Sequence, residues 1–224
     1  MLPISLYLLN HNYGLFLDEA ILSVLNQTFT DFEFIIIDDG SVDKSREMIY
    51  RYSQIHPQIK VIYQENCGLI ASANKAVEIS TGDYLIRLDA DDILHPDALK
   101  ILYYYAEKYP DTDWIFPGYY MTNEFGEVTC KKNRRNEVFY ISNEDKEPHG
   151  ACSLIKRKTL LEVGGYSKHV ACRDGLDLFL KIRERKTILS VPEYLFYYRQ
   201  HTQNLTRNKK LVEETESVLF ARNI

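Results

Sequence analysis

The stretch of sequence that decides the fold lies at residues 32–50 and reads FEFIIIDDGSVDKSREMIY. Its first six residues are mostly apolar and favour a buried strand. The next four, Asp38-Asp39-Gly40-Ser41, have the composition of a tight turn and a helix N-cap. From Asp43 onward, Met48, Ile49 and Tyr52 recur at helical spacing. The stretch therefore predicts a strand, a turn and a helix in succession.

The same unit recurs on both sides of this stretch. Further strands are predicted at residues 4–9, 60–63 and 84–88, and further helices at residues 16–25, 69–80 and 96–109. Strands that alternate with helices across short loops are typical of a parallel sheet built from βαβ units. No internal repeat or linker interrupts the pattern, so we expect one α/β domain.

The second half of the chain is less regular. The patterns there predict a strand at residues 114–121, a short helix from Lys158, a helix at residues 175–184, and short strands at residues 188–191 and 194–198. Residues 123–149 are polar and turn-rich, and they contain the basic run Lys131-Lys132-Asn133-Arg134-Arg135. Two interpretations of this run stay open: a solvated loop, or a flap near an anionic ligand.

Composition and charge exclude several classes of protein. The 224 residues carry 27 Lys and Arg against 32 Asp and Glu, a net charge of −5. This balance argues against nucleic-acid binding, because neutralising phosphates needs a basic surface. The longest apolar run is far shorter than the ~20 residues of a membrane-spanning helix. Met1 leads almost directly into the first strand without a basic segment, and the four cysteines form no CxxC pair. We therefore expect a cytoplasmic protein.

Two acidic clusters follow predicted strands at the point where each strand ends. Asp38-Asp39 comes after the second strand, and Asp89-Ala90-Asp91-Asp92 comes after the fourth. The carboxyl ends of parallel strands meet at one edge of the sheet, which is where such sheets bind ligands. Two carboxylates separated by one small residue can reach a divalent cation and a sugar hydroxyl together, and Mg²⁺ and Mn²⁺ prefer oxygen ligands. An acidic turn without a ligand would have the same composition, but clustered carboxylates are more often functional.

A set of short motifs extends along most of the chain in a fixed order. They are Ile4-Ser5 through Asn12, Ser23 to Thr28, Asp38 to Ser41, Asn66-Cys67-Gly68, Asn74, Asp89 to Asp92, Gly164-Gly165-Tyr166, Arg173 to Leu178, and Tyr198 to Asn204. Together they resemble glycosyltransferase family 2 over about residues 3 to 206. Each motif alone is only suggestive, whereas the ordered set is specific.

The resemblance implies a GT-A fold, with a Rossmann-like, mostly parallel central sheet flanked by helices and an irregular C-terminal acceptor half. It divides a single domain, residues 1–224, into a nucleotide-sugar-binding half at 1–110, an acceptor-binding half at 111–206 and a C-terminal helix at 207–224. It also implies metal-dependent, inverting transfer of a sugar from a nucleoside diphosphate donor, with Mn²⁺ or Mg²⁺ as cofactor.

The resemblance assigns roles to individual residues. Those implied for the nucleotide-sugar site are Leu9 and His11 at the base and ribose, Asp39 at the imide N–H of a pyrimidine, Asn66, Asn74, and Asp89 at the ribose and donor sugar. Asp91 and His201 are implied as metal ligands, and Asp174 as the catalytic base. The Asp39 assignment favours UDP or dTDP over a purine donor. Arg173 stands where the family usually has Glu or Gln.

Alternatives to these roles stay open. Asp174 also has the character of a helix cap, and Asp177 is a second candidate for the base. His149 could face the acceptor or lie in a loop. A catalytically silent nucleotide-sugar-binding module is an alternative function. So is a sugar-nucleotidyltransferase, although residues 9–14 lack the Gly-rich phosphate loop which that activity requires.

The expected partners follow from the implied reaction. They are a nucleotide-sugar donor, with a UDP-sugar favoured, and a saccharide or lipid-linked saccharide acceptor in cell-surface polysaccharide biosynthesis, with a hexosyl or N-acetylhexosaminyl group transferred. A lipid-linked acceptor would bring the protein to the inner face of the membrane. The tail from Lys209 to Ile224 has the apolar spacing of an amphipathic helix, for which packing, a homodimer contact and peripheral membrane association all stay open.

Overall fold

A computed structural model describes residues 2–133, 135–142, 149–184 and 186–222. The strands in these ranges are β1 (Ile4–Asn10), β2 (Phe32–Asp39), β3 (Ile59–Gln64), β4 (Tyr84–Asp89), β5 (Ile93–Leu94), β6 (Trp114–Thr122), β7 (Val128–Lys132), β8 (Phe139–Tyr140), β9 (Leu154–Lys156) and β10 (Ile188–Arg199). The α-helices are α1 (Leu17–Leu25), α2 (Ser45–Ile55), α3 (Leu69–Ile79), α4 (Ala98–Lys108), α5 (Arg157–Glu162), α6 (Asp174–Ile182) and α7 (Lys209–Arg222). A 3₁₀ turn spans Leu205–Arg207.

The described strands join one mixed sheet with the order β3-β2-β1-β4-β9-β6-β10-β5, while β7 pairs with β6 and β8 with β10. Strands β1 to β4 are parallel to one another, as predicted, and β10 is parallel to β6. Strand β9 runs antiparallel between β4 and β6 and joins the two halves. Asp38 and Asp89 lie at register positions beside the end of β1, which confirms that the two acidic clusters share one edge.

Helices cover both faces of the parallel part of the sheet. Along β1, Leu6 and Leu8 belong to a core cluster shared with α1, α2 and α4, whereas Tyr7 and Leu9 belong to a cluster shared with α3, α5 and α6. Since successive side chains on a strand point to opposite faces, a strand covered on both sides must be apolar throughout. This explains why β1 and β2 are mostly apolar instead of alternating between apolar and polar residues.

The last strand differs from its prediction. Residues 188–191 and 194–198 form one strand, β10, in place of the two predicted strands. The register against β6 shifts between Ser190 and Tyr194, the segment that contains Pro192. A proline donates no hydrogen bond to a sheet and is accommodated at such an irregularity. The prediction treated this interruption of the pattern as a break between strands.

The basic run also differs from its prediction in part. Lys131 and Lys132 belong to β7 and pair with Tyr120 and Tyr119 of β6, so the loop interpretation is wrong for these two residues. Lys131 Nζ lies 5.3 Å from the centre of the Tyr120 ring, a cation–π contact that compensates for the low strand propensity of lysine. Arg134 lies outside the described residues.

Helix α7 packs on the segment that precedes α6. Leu219 forms a small apolar cluster with Val170 and Leu176. On the same side, Glu216 pairs with Arg173 at 2.8 Å. The packing interpretation of the tail is therefore confirmed for these residues. In the described part of the chain, no helix has both the length and the apolar character needed to cross a bilayer.

Candidate active site

A cavity of about 660 Å³ opens at the edge of the sheet where β1, β2 and β4 end. Most of the predicted site residues line it: Leu9, His11, Asp39, Asn66, Asp89, Asp91 and Asp174. The described lining residues include four aspartates and two arginines, Arg87 and Arg173. The fold therefore brings together carboxylates from β2, β4 and α6. His201 is not among the described lining residues but contacts Asp91, which is. Asn74 is also not among the described lining residues.

The two aspartates that end β2 have different surroundings. Asp38 is fully buried and accepts hydrogen bonds from Asn10 Nδ2 at 2.9 Å and from the backbone N–H of Ser41. Asp39 accepts hydrogen bonds from the backbone N–H groups of Cys67 at 2.9 Å and Gly68 at 2.8 Å. Because neighbouring side chains on a strand point to opposite faces, only one of the pair can face the cavity. Asp38 joins the loops after β1 and β2, and Asp39 is available to a ligand.

The environment of Asp39 keeps it ionised. Burial raises its pKa, but hydrogen bonds from Gln64 and from the Cys67 and Gly68 segment outweigh burial and lower the pKa below its ordinary value. Gly68 has a φ of +87°, a conformation that favours glycine. Cys67 and Gly68 of the Asn66-Cys67-Gly68 motif thus act through their backbone, which turns two N–H groups toward one carboxylate.

His11 and Asn66 form the neighbouring wall. Nδ1 of His11 lies 2.7 Å from the backbone carbonyl oxygen of Asp39, so Nδ1 carries the proton and donates it. Nε2 then accepts hydrogen bonds from Nδ2 of Asn12 at 3.0 Å and Nδ2 of Asn66 at 3.1 Å. These contacts fix the orientation of the imidazole at the mouth of the cavity.

The aspartates after β4 also separate into two environments. Asp89 and Asp91 line the cavity, whereas Asp92 is buried behind them and accepts the backbone N–H of Arg199 at 3.0 Å. Burial raises the pKa of Asp89 to about 6, with Arg87 opposing the rise and Asp91 adding to it. Burial and the charges of Asp91 and Asp89 likewise raise the pKa of Asp92. Asp92 anchors the end of β10, and Asp89 and Asp91 remain for ligands.

Asp91 and His201, the two predicted metal ligands, are in direct contact. Nε2 of His201 lies 2.9 Å from Oδ2 of Asp91. Two cis ligands of an octahedral ion, each about 2.1 Å from the metal, lie about 3.0 Å apart, so the pair fits a shared ion. Within the described residues no group of three or more His, Cys, Asp or Glu could hold a metal. The remaining ligand positions would therefore belong to the substrate or to water.

The ring of His201 is held in one orientation. It packs at 4.7 Å between ring centres against Phe16, and its Nδ1 accepts the backbone N–H of Gln203 at 3.2 Å. Nε2 therefore carries the proton and donates to Asp91. A cation bound at Nε2 would require this proton to move to Nδ1, which would cost the contact with Gln203.

Asp174 is the first residue of α6. The residue before it, Arg173, has a φ of 60°, and no side chain caps this helix end through a hydrogen bond. The cap interpretation of Asp174 is therefore wrong, because its Oδ2 instead accepts a hydrogen bond from Arg87 Nη1. Asp177, the second candidate base, accepts hydrogen bonds from the N–H and hydroxyl of Ser167 at 2.8 and 2.7 Å and is not among the described lining residues.

Arg87 is a site residue that the sequence motifs did not predict. Its side chain is buried, with Nε 3.0 Å from Oδ1 of Asp89 and Nη2 3.2 Å from Oδ2 of the same carboxylate. Burial opposes its charge, but Asp174 and Asp89 raise the pKa of Arg87 well above its ordinary value. A signal was present: arginine is almost never buried without a partner, and positions 87 and 89 share one face of β4.

His149 belongs to an aromatic wall of the cavity. Its ring centre lies 5.1 Å from that of Tyr119 and 4.5 Å from that of Tyr198, and all three side chains line the cavity. Burial, with help from the charge of Arg87, lowers the pKa of His149 to about 4. This wall therefore offers flat and uncharged surfaces to a ligand.

Asn74 lies away from the cavity. Its Nδ2 donates to the backbone carbonyl of Tyr166 at 2.9 Å, and its Oδ1 accepts the backbone N–H of the same residue at 2.9 Å. Both ends of the amide are thus used to hold the Gly164-Gly165-Tyr166 segment, and its predicted contact with the donor remains a prediction.

Comparison with known proteins identifies relatives of the chain. The sequence model described as Glycosyl transferase family 2 matches residues 5–164. An uncharacterized glycosyltransferase of Methanocaldococcus jannaschii, MJ1057, is 42% identical over 205 residues, which are 87% of this chain and 70% of the relative. The chondroitin synthase of Escherichia coli is 37% identical over 98 residues, 44% of this chain but only 14% of that enzyme.

Solved structures share the fold at low sequence identity. TarS residues 1–349 of S. aureus in complex with UDP-GlcNAc superpose with a TM-score of 0.77 at 15% identity, over 92% of this chain and 61% of that one. The mannosyltransferase PcManGT of Pyrobaculum calidifontis, in complex with GDP-Man and Mn²⁺, gives a TM-score of 0.76 at 15% identity, over 98% and 63%. The predicted GT-A fold is confirmed. The chain spans less than two thirds of either solved chain.

Proposed function

Because the chain belongs to glycosyltransferase family 2, we propose that it transfers a sugar from a nucleoside diphosphate donor to a hydroxyl of a saccharide or lipid-linked saccharide, with inversion at the anomeric carbon. One observation carries this proposal: Asp39, Asp89, Asp91 and Asp174 converge on one cavity from β2, β4, the turn after β4 and α6. Each has surroundings that suit a different part of a nucleotide-sugar.

The donor occupies the side of the cavity formed by β1 and β2. Asp39 is ionised and accepts the imide N–H of a pyrimidine, so UDP-sugars are favoured. Leu9, His11 and Asn66 border the base and ribose. Asp89 accepts hydrogen bonds from hydroxyls of the ribose and the donor sugar. UDP-GlcNAc in the TarS complex supports a hexosyl or N-acetylhexosaminyl group, the class that we propose here.

Asp174 serves as the general base. In a single displacement the acceptor oxygen attacks the anomeric carbon, the bond from that carbon to the diphosphate breaks, and the hydroxyl proton passes to the carboxylate. A positioned base contributes about 10²–10⁴-fold. Arg87 binds Oδ2 of Asp174, so the acceptor hydroxyl approaches Oδ1.

Asp91 and His201 hold the divalent cation, Mn²⁺ or Mg²⁺. The 2.9 Å between Nε2 of His201 and Oδ2 of Asp91 suits neighbouring ligands of one ion. When bound, the ion neutralises charge that develops on the leaving diphosphate. The Mn²⁺ of the mannosyltransferase complex supports this proposal by analogy of fold.

The acceptor enters beside the aromatic wall of Tyr119, His149 and Tyr198. Residues 1–110 then form the nucleotide-sugar-binding half of a single domain and residues 111–206 the acceptor-binding half, and α7 follows them. The sugar ring of an acceptor can stack on such flat side chains while its hydroxyl faces Asp174. A relative named chondroitin synthase supports a role in cell-surface polysaccharide biosynthesis.

The reaction takes place in the cytoplasm, at the inner face of the membrane where the acceptor is lipid-linked. Leu15, Val42 and Phe125 are largely exposed in loops, and the first two follow the carboxyl ends of β1 and β2 beside the cavity. Such side chains suit peripheral contact with lipid. Val218 and Phe220 on α7 are also exposed and would suit a homodimer contact. Sedimentation with lipid vesicles tests the membrane contact, and light scattering tests the homodimer.

The donor site is tested by calorimetric titration of UDP, dTDP and GDP, each with and without Mn²⁺. We expect Mn²⁺-dependent binding of UDP or dTDP to the wild type, and its loss in Asp91→Ala and Asp39→Ala. Asp111→Ala, which alters an exposed aspartate outside the cavity, is the matched control. Preferential binding of GDP would overturn the pyrimidine assignment, and binding unchanged by Asp91→Ala would remove Asp91 as a ligand.

Transfer and stereochemistry are tested by incubating the enzyme with an α-linked UDP-sugar and a panel of saccharide and lipid-linked acceptors. A product with a β-linkage, assigned by the proton coupling at the anomeric carbon, is the expected result. Nucleotide binding without transfer to any acceptor would favour a silent binding module. Formation of a nucleotide-sugar from a sugar phosphate would instead indicate a nucleotidyltransferase.

A further inference from the structure

Arg87 connects two carboxylates that belong to separate elements. Its side chain is 6% exposed and lies between Asp89, at the end of β4, and Asp174, at the start of α6. Nε and Nη2 contact the two oxygens of Asp89 at 3.0 and 3.2 Å, and Nη1 donates to Oδ2 of Asp174. One guanidinium therefore contacts a carboxylate on each side.

The shape of the guanidinium fixes the geometry of this bridge. Its five N–H donors lie in one plane and in fixed directions. Nη2 donates to Oδ2 of Asp89 and Nη1 donates to Oδ2 of Asp174, so the fixed angle between these two groups sets the position of one carboxylate relative to the other. A lysine ammonium is a compact point charge on a flexible stem and cannot impose this relation.

Arg87 also balances the charge at this point of the cavity. Asp89, Asp91 and Asp174 would repel one another if they converged without a cation. The other arginine among the described lining residues, Arg173, pairs with Glu216 on α7 at 2.8 Å. Arg87 is thus placed to let Asp174 stay close to Asp89 before any ligand binds.

We propose that Arg87 is a positioning residue for the transfer reaction: its guanidinium holds the carboxylate of Asp174 at a fixed place relative to Asp89. The proposal rests on the function proposed above, in which Asp89 binds the donor sugar and Asp174 accepts the acceptor proton. Arg87 then aligns the base with the anomeric carbon, although it contacts neither substrate. A misplacement of about 1 Å at such a site can cost about 100-fold in rate.

A purely structural ion pair would have different consequences. Buried pairs can often be replaced by other residues with little change in stability, whereas a positioning role depends on the shape of the guanidinium. The distinguishing variant is therefore Arg87→Lys, which keeps the positive charge and removes the planar set of N–H donors. Arg157→Lys, on α5 and outside the cavity, is the matched control.

The experiment compares the melting temperature, the Kd for UDP with Mn²⁺, and kcat at saturating substrates. For Arg87→Lys we expect a melting temperature close to that of the control, a Kd for UDP within about twofold of wild type, and kcat lowered about 100-fold. UDP contains the base, the ribose and the diphosphate but not the transferred sugar, so its Kd reports whether the nucleotide part of the site is intact. A kcat within about threefold of wild type would overturn the proposal.

Two further measurements separate positioning from a loss of folded protein. In Arg87→Ala, added ethylguanidinium should restore part of kcat, whereas ethylammonium at the same concentration should not. Adding Arg87→Lys to Asp174→Asn should cause little further loss of kcat, because the base on which Arg87 acts is already absent. Equal rescue by both cations, or a full additional loss in the double variant, would overturn the proposal.

The two proposals fail in different ways. If the wild type bound UDP and transferred sugar but Arg87→Lys were as active, only the positioning role would be lost. If the wild type neither bound a nucleotide nor transferred sugar to any acceptor, the proposed function would fail and the positioning role with it.

Discussion

Nε2 of His201 lies 2.9 Å from Oδ2 of Asp91, although the two residues come from opposite halves of the chain. The contact places the end of β10 against the loop after β4, and Asn204 strengthens it with a hydrogen bond from Nδ2 to the same carboxylate oxygen at 3.3 Å. This is where the fold closes the cavity on the side predicted to bind a metal.

His201→Gln should weaken the binding of Mn²⁺ in the presence of UDP by at least about 10-fold, because it removes a ring nitrogen from the predicted pair of ligands. Calorimetric titration of Mn²⁺ into the complex with UDP measures this effect. His56→Gln, at the end of α2, controls for the loss of an imidazole elsewhere. An unchanged Mn²⁺ affinity would show that His201 only orients Asp91.

Asp174→Asn should lower kcat by about 10²–10⁴-fold, because an amide cannot accept the proton of the acceptor hydroxyl. The Kd for UDP should stay within about twofold of wild type, since the nucleotide contacts lie around Asp39. Asp177→Asn is the control on the same helix, and it should retain most of kcat because Asp177 is engaged with Ser167. A larger loss of kcat in Asp177→Asn would transfer the role of base to that residue.

Gly40→Ala should disturb the nucleotide site. Gly40 has a φ of +74°, and an added Cβ would lie 2.6 Å from the backbone nitrogen of Asn66. Gly164 has a φ of +77° but open space around it. Gly164→Ala is therefore the control: it has the same conformational cost of a non-glycine residue at positive φ, about 1–2 kcal/mol, without a steric clash. We expect both variants to lose stability, and Gly40→Ala alone to bind UDP at least about 10-fold more weakly. Equal UDP affinities would contradict this.

Glu33 should make stability depend on pH. Burial raises its pKa, but hydrogen bonds from Lys60, Ser5 and Thr81 outweigh burial and lower the pKa to about 2. Since the pKa is lower in the folded chain than in the unfolded one, the stabilisation is complete above about pH 4.5 and is lost as the pH falls toward 2. Its size at neutral pH is about 3 kcal/mol.

Urea unfolding of Glu33→Gln at pH 7 and pH 3 tests this dependence. The variant should be less stable than wild type at pH 7, and the difference should shrink at pH 3. Glu78→Gln, which alters an exposed glutamate on α3, should change little at either pH. A difference between Glu33→Gln and wild type that is the same at both pH values would contradict the assignment.

The sequence predicted the first half of the fold because its signals are local. The apolar runs that became β1 and β2 are long enough to be buried on both faces. Strand β2 extends through Asp39, two residues beyond its predicted end, and Gly40 and Ser41 follow it before α2. The second half was predicted less well. Pro192 interrupts the pattern of β10, and Lys131 and Lys132 have the composition of a loop but pair with β6.

The sequence by itself determined which chemistry is available: the carboxylates of Asp39, Asp89, Asp91 and Asp174 and the alternation that brings strand ends to one edge. Only the tertiary structure decided which aspartates of the two acidic clusters face the cavity. Asp38 and Asp92 have the same side chain as the others, but Asp38 is held by Asn10 and Asp92 by the backbone of Arg199. The tertiary structure also decided that Arg87 contacts Asp174. Strand and turn preferences act between neighbours in the chain, whereas this contact depends on how β4 and α6 pack, and no local signal in the sequence specifies that packing.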